Sequence, residues 1–528
     1  MLFFILILFS FIIPTLEYKI LIINPLFAGS HIYYMNNLGD LLQNEGHDVT
    51  ILRIPMSSHA DSKRAKVAKE IEPDYKSEEL YKQAESNAAL MKNSWTHRNT
   101  ENPFDIVNEL HGLTKSLTLA CEYIIENSKL IEDLTNEKFD LGIIEIFAPC
   151  ELGILKHINI TKHISVMSGA FFDSFYSRFG LSFHTMQVPS IVSPSTPAMS
   201  YGERIYNFFS YIAMEIVHYN HISMGNKMLS KYDKTKNIDL DKELTSTAFI
   251  ISNDDPIVSY STPQCPKMLR LGGLLTEKPK PLNKEFDEWL SIREKNVVVS
   301  FGSIAKSCSM PKEMKLGMIK IFKSFPNVTF IWKYEEDRPD ILNGIDNVIT
   351  VKWIPQVDLL NDSRISLFVT HGGMNTLNEI AYFGVPALSM PLFGDQPRNS
   401  KMYEFAEIGK SFDKKDLVDN IDYIISLFKE LLENPKYREN TKRISTIIKN
   451  RPYNLKETFL KYIDFAAKFG NVKELGVYNE NMPFWKTMML DILGGFILFI
   501  MMFIYALYRI YFIIRIMFSF VKSHEKTE

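Results

Sequence analysis

The sequence predicts an α/β protein: two doubly wound parallel-sheet domains in tandem, facing a cleft, and then one membrane-crossing helix. Three observations carry this. Short β-branched or apolar runs alternate with helical patterns in two separate series along the 528 residues. A Pro- and Lys-rich stretch, TEKPKPLNKE at residues 276–285, parts the two series as a solvated linker. A long uncharged run with a basic flank lies near the C-terminal end. The length is too great for one core. Charged residues make up 23% and apolar ones 46%, a globular profile, and the net charge of −3 points away from a nucleic-acid partner.

Met1 to Ile13 is an almost unbroken apolar run closed by Pro14. It is too short to span comfortably and reads as a secretory signal, residues 1–16, with an uncleaved anchor as the alternative because the usual basic start is missing. Tyr18 to Pro25 (YKILIINP) is a strand pattern, AGSHIYYMNNLGDLLQNEGH turns helical and closes on Gly46, and His47 to Ile54 (HDVTILRI) returns to strand. That β-α-β unit opens a first domain assigned to residues 17–280. Residues 60–138 are charged and helical in rhythm, and Phe139 to Ile146 (FDLGIIEI) is a buried strand. Residues 185–202, rich in Pro and Ser, read as a long irregular loop.

The second domain is assigned to residues 281–475. Its strands are Val297 to Ser300, Asn327 to Tyr334, Asn347 to Lys352, Ile365 to Thr370 and Val385 to Met390. Ile492 to Tyr508 carries no charge and is followed by Arg509, Arg515, Lys522 and Lys526. A membrane helix is therefore placed at residues 490–508, with residues 509–528 as a cytoplasmic tail and the body on the other side. Asn159, Asn327 and Asn361 stand in glycan acceptor triplets, each a candidate only. The four cysteines, Cys121, Cys150, Cys265 and Cys308, show no metal-binding spacing and allow one disulfide at most.

Ligands of open α/β sheets sit at the carboxyl ends of strands, where the next helix begins. Three stretches of the second domain meet that condition: SFGS at Ser300 to Ser303, WIPQ at Trp353 to Gln356, and THGGMNTLNEIAYFGVP at Thr370 to Pro386. In the last, backbone amides around His371 and Gly373 and a fresh helix start suit an anion. Asn375 and Thr376 are placed to donate to phosphate oxygens, Glu379 to accept from a pair of sugar hydroxyls, and Trp353 to stack on a flat base. In the first domain, Ser30-His31 follows the first strand at a helix start. The helix dipole there disfavours imidazolium, leaving a histidine able to take a proton, and Glu145 at the end of its strand is placed to fix the tautomer. His47 and His59 look incidental.

The segment from Trp353 to Gln396 closely resembles the signature of the UDP-glycosyltransferases, in particular the membrane-bound UDP-glucuronosyltransferase family of animals. The pattern W-x-P-Q, T-H-G-G-x-N, E and P-L-F-x-D-Q is matched at every one of those positions. The resemblance extends loosely over the rest of the chain. It implies a GT-B fold with a UDP-sugar held mainly by the second domain, as a co-substrate and without a metal. It implies Trp353 on uracil, Gln356 and Glu379 at the ribose, and Ser303, His371, Asn375 and Thr376 at the diphosphate. Asp395 and Gln396 would contact hydroxyls of the transferred sugar. His31 would be the catalytic base, supported by Glu145, where many mammalian members carry Asp.

The activity implied is inverting transfer of a hexose or hexuronic acid to a hydroxyl of a small lipophilic acceptor, in the endoplasmic reticulum membrane with the body in the lumen. Mammalian members carry an Arg in a Y-P-R-P context that is linked to the donor carboxylate; here Thr262 stands in that place, which favours UDP-glucose over UDP-glucuronic acid and leaves both open. A catalytically silent, membrane-anchored UDP-sugar binder or partner subunit is the alternative reading, against which the retained His31 argues. A nicotinamide dehydrogenase needs G-x-G-x-x-G after a strand, and neither strand-helix entry has it. The acceptor pocket falls to residues 60–210, where no motif names the acceptor. Homo- and hetero-oligomers both fit the family.

Overall fold

Two parallel sheets organise the chain. The computed structural model describes residues 17–56, 64–74, 77–80, 82–83, 93–96, 102–147, 149–232, 238–477, 483–487 and 489–524. The signal predicted at residues 1–16, His59 and residues 525–528 of the tail lie outside the described residues.

The first sheet has seven strands: β1 (Lys19–Leu26), β2 (Asp48–Pro55), β3 (Lys69–Ile71), β4 (Leu141–Glu145), β5 (His163–Met167), β6 (Ile250–Ser252) and β7 (Met268–Arg270), in the order β3-β2-β1-β4-β5-β6-β7. Every pairing is parallel. Helices cover both faces, so β1 and β4 are buried along almost their whole length, which is why they read as continuous apolar runs. The second sheet has six: β8 (Lys295–Ser300), β9 (Val328–Lys333), β10 (Val348–Val351), β11 (Ile365–Thr370), β12 (Ala387–Ser389) and β13 (Gly409–Ser411), in the order β10-β9-β8-β11-β12-β13, again all parallel.

Each sheet reverses its winding once, between β1 and β4 in the first and between β8 and β11 in the second. Those two switch points are where diverging loops leave a crevice at the strand carboxyl ends. The two domains face each other there: a methyl group added to Gly29, after β1, would stand 3.0 Å from Ser303 Oγ, after β8.

Three devices tie the domains. Asn253, past β6, donates from Nδ2 to Asn375 Oδ1 at 2.5 Å and accepts Asn378 Nδ2 on its carbonyl at 2.8 Å. Trp95 leaves the first domain and lies buried, 2% exposed, among Val299, Phe301, Met314 and Phe322 of the second. The helix Leu455–Phe469, though late in the chain, returns to the first sheet. It buries Phe459, Ile463, Ala466 and Ala467 against Ile20, Val49 and Ile164.

Of the stretch at 60–138, the described part holds helices Asp105–Glu126 and Ser128–Asn136. Cys121 on the first of these is joined by a disulfide to Cys150 at the start of helix Cys150–His157. Asn159, Asn327 and Asn361 are all exposed. The C-terminal helix runs Leu490–His524, past Tyr508, and its apolar part, Leu490–Phe518, has a mean hydropathy of 2.3 and no side of it buried by the body. It is long and apolar enough to cross a bilayer core of roughly 30 Å.

Candidate active site

His31 sits in the first turn of helix Gly29–Asn44, directly after β1, with its side chain about one-fifth exposed to the cleft. Glu145, the last residue of the neighbouring β4, is fully buried, and its Oε1 lies 3.6 Å from His31 Nδ1. That is beyond a hydrogen bond. The atom on Nδ1 is instead Ser168 Oγ at 2.5 Å, just past β5, and the Ser168 backbone N–H donates to Glu145 Oε1 at 3.3 Å. The tautomer control expected from Glu145 alone is thus shared with Ser168. In the tautomer that carries its proton on Nδ1, Nδ1–H donates to the Ser168 hydroxyl and Nε2 is the acceptor. Phe27 and Phe147 pack on the imidazole at 4.5 and 5.7 Å between ring centres, and Phe172 packs on Phe147 at 5.2 Å. An apolar wall therefore flanks the base, which suits a lipophilic molecule.

Across the cleft the second domain lays out its own residues. Gly302 has φ +82°, and a Cβ there would press to 2.7 Å from the His371 ring. Gly372 has φ +88°, with Ser400 and Ser389 hydroxyls 2.7 and 2.9 Å from the position of a Cβ. Both turns need a residue that tolerates the left-handed region and takes no space. They bring the Ser300–Ser303 and Thr370–Gly373 stretches together around the His371 ring, at the start of helix Met374–Phe383. Gly373 is the cap of that helix, and no side chain caps it, so its first amides remain available to an anion.

His371 lies in this cradle. Burial, with the Lys333 ammonium beside it, holds its pKa down to about 4, so it is a neutral hydrogen-bonding ring at physiological pH. Lys333 ends β9, donates to the Gly302 carbonyl at 2.6 Å and stands 5.1 Å above the Trp353 ring. It was not singled out in the sequence; its place at a strand's carboxyl end beside β8 is the signal that could have found it. Trp353 itself is 59% exposed.

Gln356 opens the helix Gln356–Asn361 and donates from Nε2 to Glu379 Oε2 at 2.5 Å and to Thr376 Oγ1 at 3.4 Å. Gln356, Thr376 and Glu379 are therefore one cluster, as their assignment to adjacent parts of one ligand requires. Asn375 is turned by Asn253, which occupies its Oδ1 and leaves its amide nitrogen as the donor. Asp395 precedes helix Gln396–Phe405 and faces the first domain, its Oδ2 3.8 Å from where a Cβ on Gly169 would stand. Asn399 holds that oxygen at 2.8 Å and also donates to the Gly372 carbonyl at 3.1 Å. Burial raises the Asp395 pKa. Gln396 is buried, and its Oε1 accepts from the Leu392 and Phe393 backbone at 2.9 and 3.2 Å, so it shapes the loop before the helix and keeps only Nε2 for a ligand.

Glu379 makes a pH-dependent prediction. Burial, together with the Glu277 carboxylate facing it from the first domain, raises its pKa to about 7. Below that pH it is mostly a neutral carboxyl; above it, an anion that accepts more strongly from hydroxyls. The KM for a ribose-containing donor is expected to fall several-fold, roughly one pKa unit's worth of binding, between pH 6 and pH 8. Glu379→Gln should flatten that slope; an unchanged slope in the variant would detach it from Glu379.

Comparisons with known proteins place the chain in a family and a fold. The family model described as UDP-glucoronosyl and UDP-glucosyl transferase matches residues 19–527. UDP-glucuronosyltransferase 3A2 of Homo sapiens is 27% identical over 489 residues, covering 90% of this chain and 89% of its own. The Caenorhabditis elegans protein ugt-56, whose name assigns it provisionally to the UDP-glucuronosyltransferases, is 30% identical over 449 residues, 85% of each chain. Among solved structures, the kitacinnamycin glycotransferase aligns with a TM-score of 0.52 at 13% identity, over 85% of this chain and 99% of that one. The spinosyn forosaminyltransferase SpnP aligns with a TM-score of 0.52 at 15% identity over the same shares. At such identities the two structures speak for the fold alone, which is GT-B.

Proposed function

The chain belongs to the family of UDP-glucoronosyl and UDP-glucosyl transferases, and from that premise we propose that it is an inverting glycosyltransferase acting on a small lipophilic acceptor. The observation that carries this reading is the meeting of two half-sites across one cleft. His31 with its apolar flank stands on one side, and two glycine turns at an uncapped helix start, the exposed Trp353 and the Gln356–Glu379 pair on the other.

In this reading His31 Nε2 takes the proton of an acceptor hydroxyl as its oxygen attacks the anomeric carbon. The bond from that carbon to the UDP oxygen breaks on the opposite face, and its electron pair leaves with UDP. The α-linked donor becomes a β-glycoside. The charge growing on the leaving diphosphate is met by the Gly302 and Gly372 turns, the helix start at Met374 and the Lys333 ammonium. Asp395 accepts from hydroxyls of the sugar. The imidazolium formed on His31 is stabilised by the Glu145 carboxylate and held in place by Ser168.

For the donor, Thr262 in place of the family's arginine supports a neutral hexose, UDP-glucose, with UDP-glucuronic acid as the other arm of the test. The apolar C-terminal helix supports an anchor in the endoplasmic reticulum membrane, with the catalytic body in the lumen and a role in conjugating hydrophobic compounds for disposal. Membranes expressing the chain would be given a simple phenol and either UDP-glucose or UDP-glucuronic acid. Turnover with UDP-glucose alone is the expected outcome. UDP-sugar binding with no turnover of either donor would replace the enzyme with a silent binding subunit.

A further inference from the structure

Behind His31 and Glu145 lies another acidic side chain that the reaction as described leaves idle. Glu151 sits in the first turn of helix Cys150–His157, on the chain that follows β4, and like Glu145 it is 0% exposed. Neither of its oxygens has a hydrogen-bond partner, and Glu145 Oε2 has none either. Among the described residues no lysine or arginine pairs with either carboxyl group, and the one cation available to Glu145 is His31 when protonated.

Two carboxyl groups buried together, with the Ser168 N–H on Glu145 Oε1 and no lysine or arginine paired with them among the described residues, resist both being charged, because little replaces their hydration. Glu151 is the one that keeps its proton: burial and the Glu145 carboxylate push its pKa well up, against a smaller pull from the Glu145 backbone. A carboxyl that keeps its proton becomes a donor, and Glu145, whose charge acts on Glu151, has in Oε2 a buried acceptor without a partner. The Cys121–Cys150 disulfide fixes the residue directly before Glu151, so the helix start that carries it is tethered.

We propose that Glu151 is a positioning residue of the base. It gives its carboxyl O–H to Glu145 Oε2, so that Oε1 stays turned toward His31 and the single negative charge of the pair stays available to the imidazolium. This rests on the reading of His31 as the base. The other titratable groups around the pair are His31 and Tyr34 from the first helix, and His221, which reaches it across Phe147. Lys156 and His157 lie further along the helix of Glu151, where Lys156 pairs with Glu243 at 2.9 Å. Of these, Tyr34 is the rival donor, since its hydroxyl is buried without a partner and it feels the Glu145 charge.

The test uses the full-length chain in membranes with Glu151→Gln, Glu151→Leu and Tyr34→Phe. Glutamine keeps a neutral donor and is expected to retain turnover. Leucine removes it, and kcat should fall roughly tenfold with the donor KM unchanged and the acid limb of the kcat profile moved to lower pH, because the imidazolium loses stabilisation. Wild-type-like turnover in Glu151→Leu overturns the proposal. So does equal loss in the glutamine and leucine variants when both still bind UDP normally, because a packing role would then explain both. If Tyr34→Phe moves the acid limb and Glu151→Leu does not, the donor is Tyr34 and the proposal falls. Failure of the underlying reading looks different: the wild type would turn over no donor, or His31→Ala would remain active.

Discussion

Replacing His31 with alanine is expected to cut turnover by about a thousandfold while leaving UDP affinity unchanged. The size follows from what the side chain is asked to do. An aliphatic or phenolic hydroxyl is a poor nucleophile with its proton on, and the proposed function makes His31 Nε2, beside the apolar wall formed by Phe27 and Phe147, the group that takes it. The backup is thin. Glu145 is fully buried and Ser168 is nearly so, so neither can reach an acceptor hydroxyl in the place of His31. The donor half-site should be untouched, because the bonds that hold Lys333 to Gly302 and Gln356 to Glu379 do not involve His31. Kinetics with saturating UDP-sugar, alongside a UDP-binding measurement on the same membranes, check both halves. Loss of turnover together with loss of UDP binding would mean that the substitution had disturbed the cleft, and the base assignment would have to be sought elsewhere.

How much of this was legible in the sequence depended on how local the chemistry is. The parallel strands declared themselves because they are buried on both faces and read as unbroken apolar runs, and the linker at 276–285 because its residues are solvated. The grouping of His371, Gly373, Asn375, Thr376 and Glu379 was legible because one strand, one turn and one helix supply them in a single stretch. His31 and Glu145 could be paired because both stand at the carboxyl ends of recognisable strands. Ser168, Lys333 and Asn253 were not legible. Each is an unremarkable polar residue whose role exists only once β5, β9 and β6 have been set beside their neighbours. Nor could the sequence tell that Asn375 and Gln396 spend half of their amide groups on Asn253 and on the Leu392–Phe393 backbone. Those demands come from residues that are contacted only after folding.

Trp95 presents the second large expected effect, and nothing in the sequence around it announced one. Its indole sits in the second domain's core, edge-on to Phe301 at 5.2 Å, and its Nε1–H donates to the Lys306 carbonyl at 3.0 Å. The neighbouring Ser94 carbonyl accepts from the buried Lys414 ammonium at 2.6 Å. A first-domain residue thus completes the packing under the loop that carries Gly302 and Ser303. Trp95→Ala is expected to cost about 3–5 kcal/mol, seen as a fall of roughly 5 °C in the melting temperature of the solubilised protein. Because Phe301 adjoins Gly302, the cavity should also loosen the donor cradle, so the KM for UDP-sugar should rise while the acceptor KM holds. Trp95→Phe separates the two parts of the contact: it refills most of the volume and forfeits only the bond to Lys306, for about 1 kcal/mol. If alanine and phenylalanine variants both melt like the wild type, Trp95 does not staple the domains. If the alanine variant melts early with an unchanged donor KM, the staple holds the fold together without reaching the cradle.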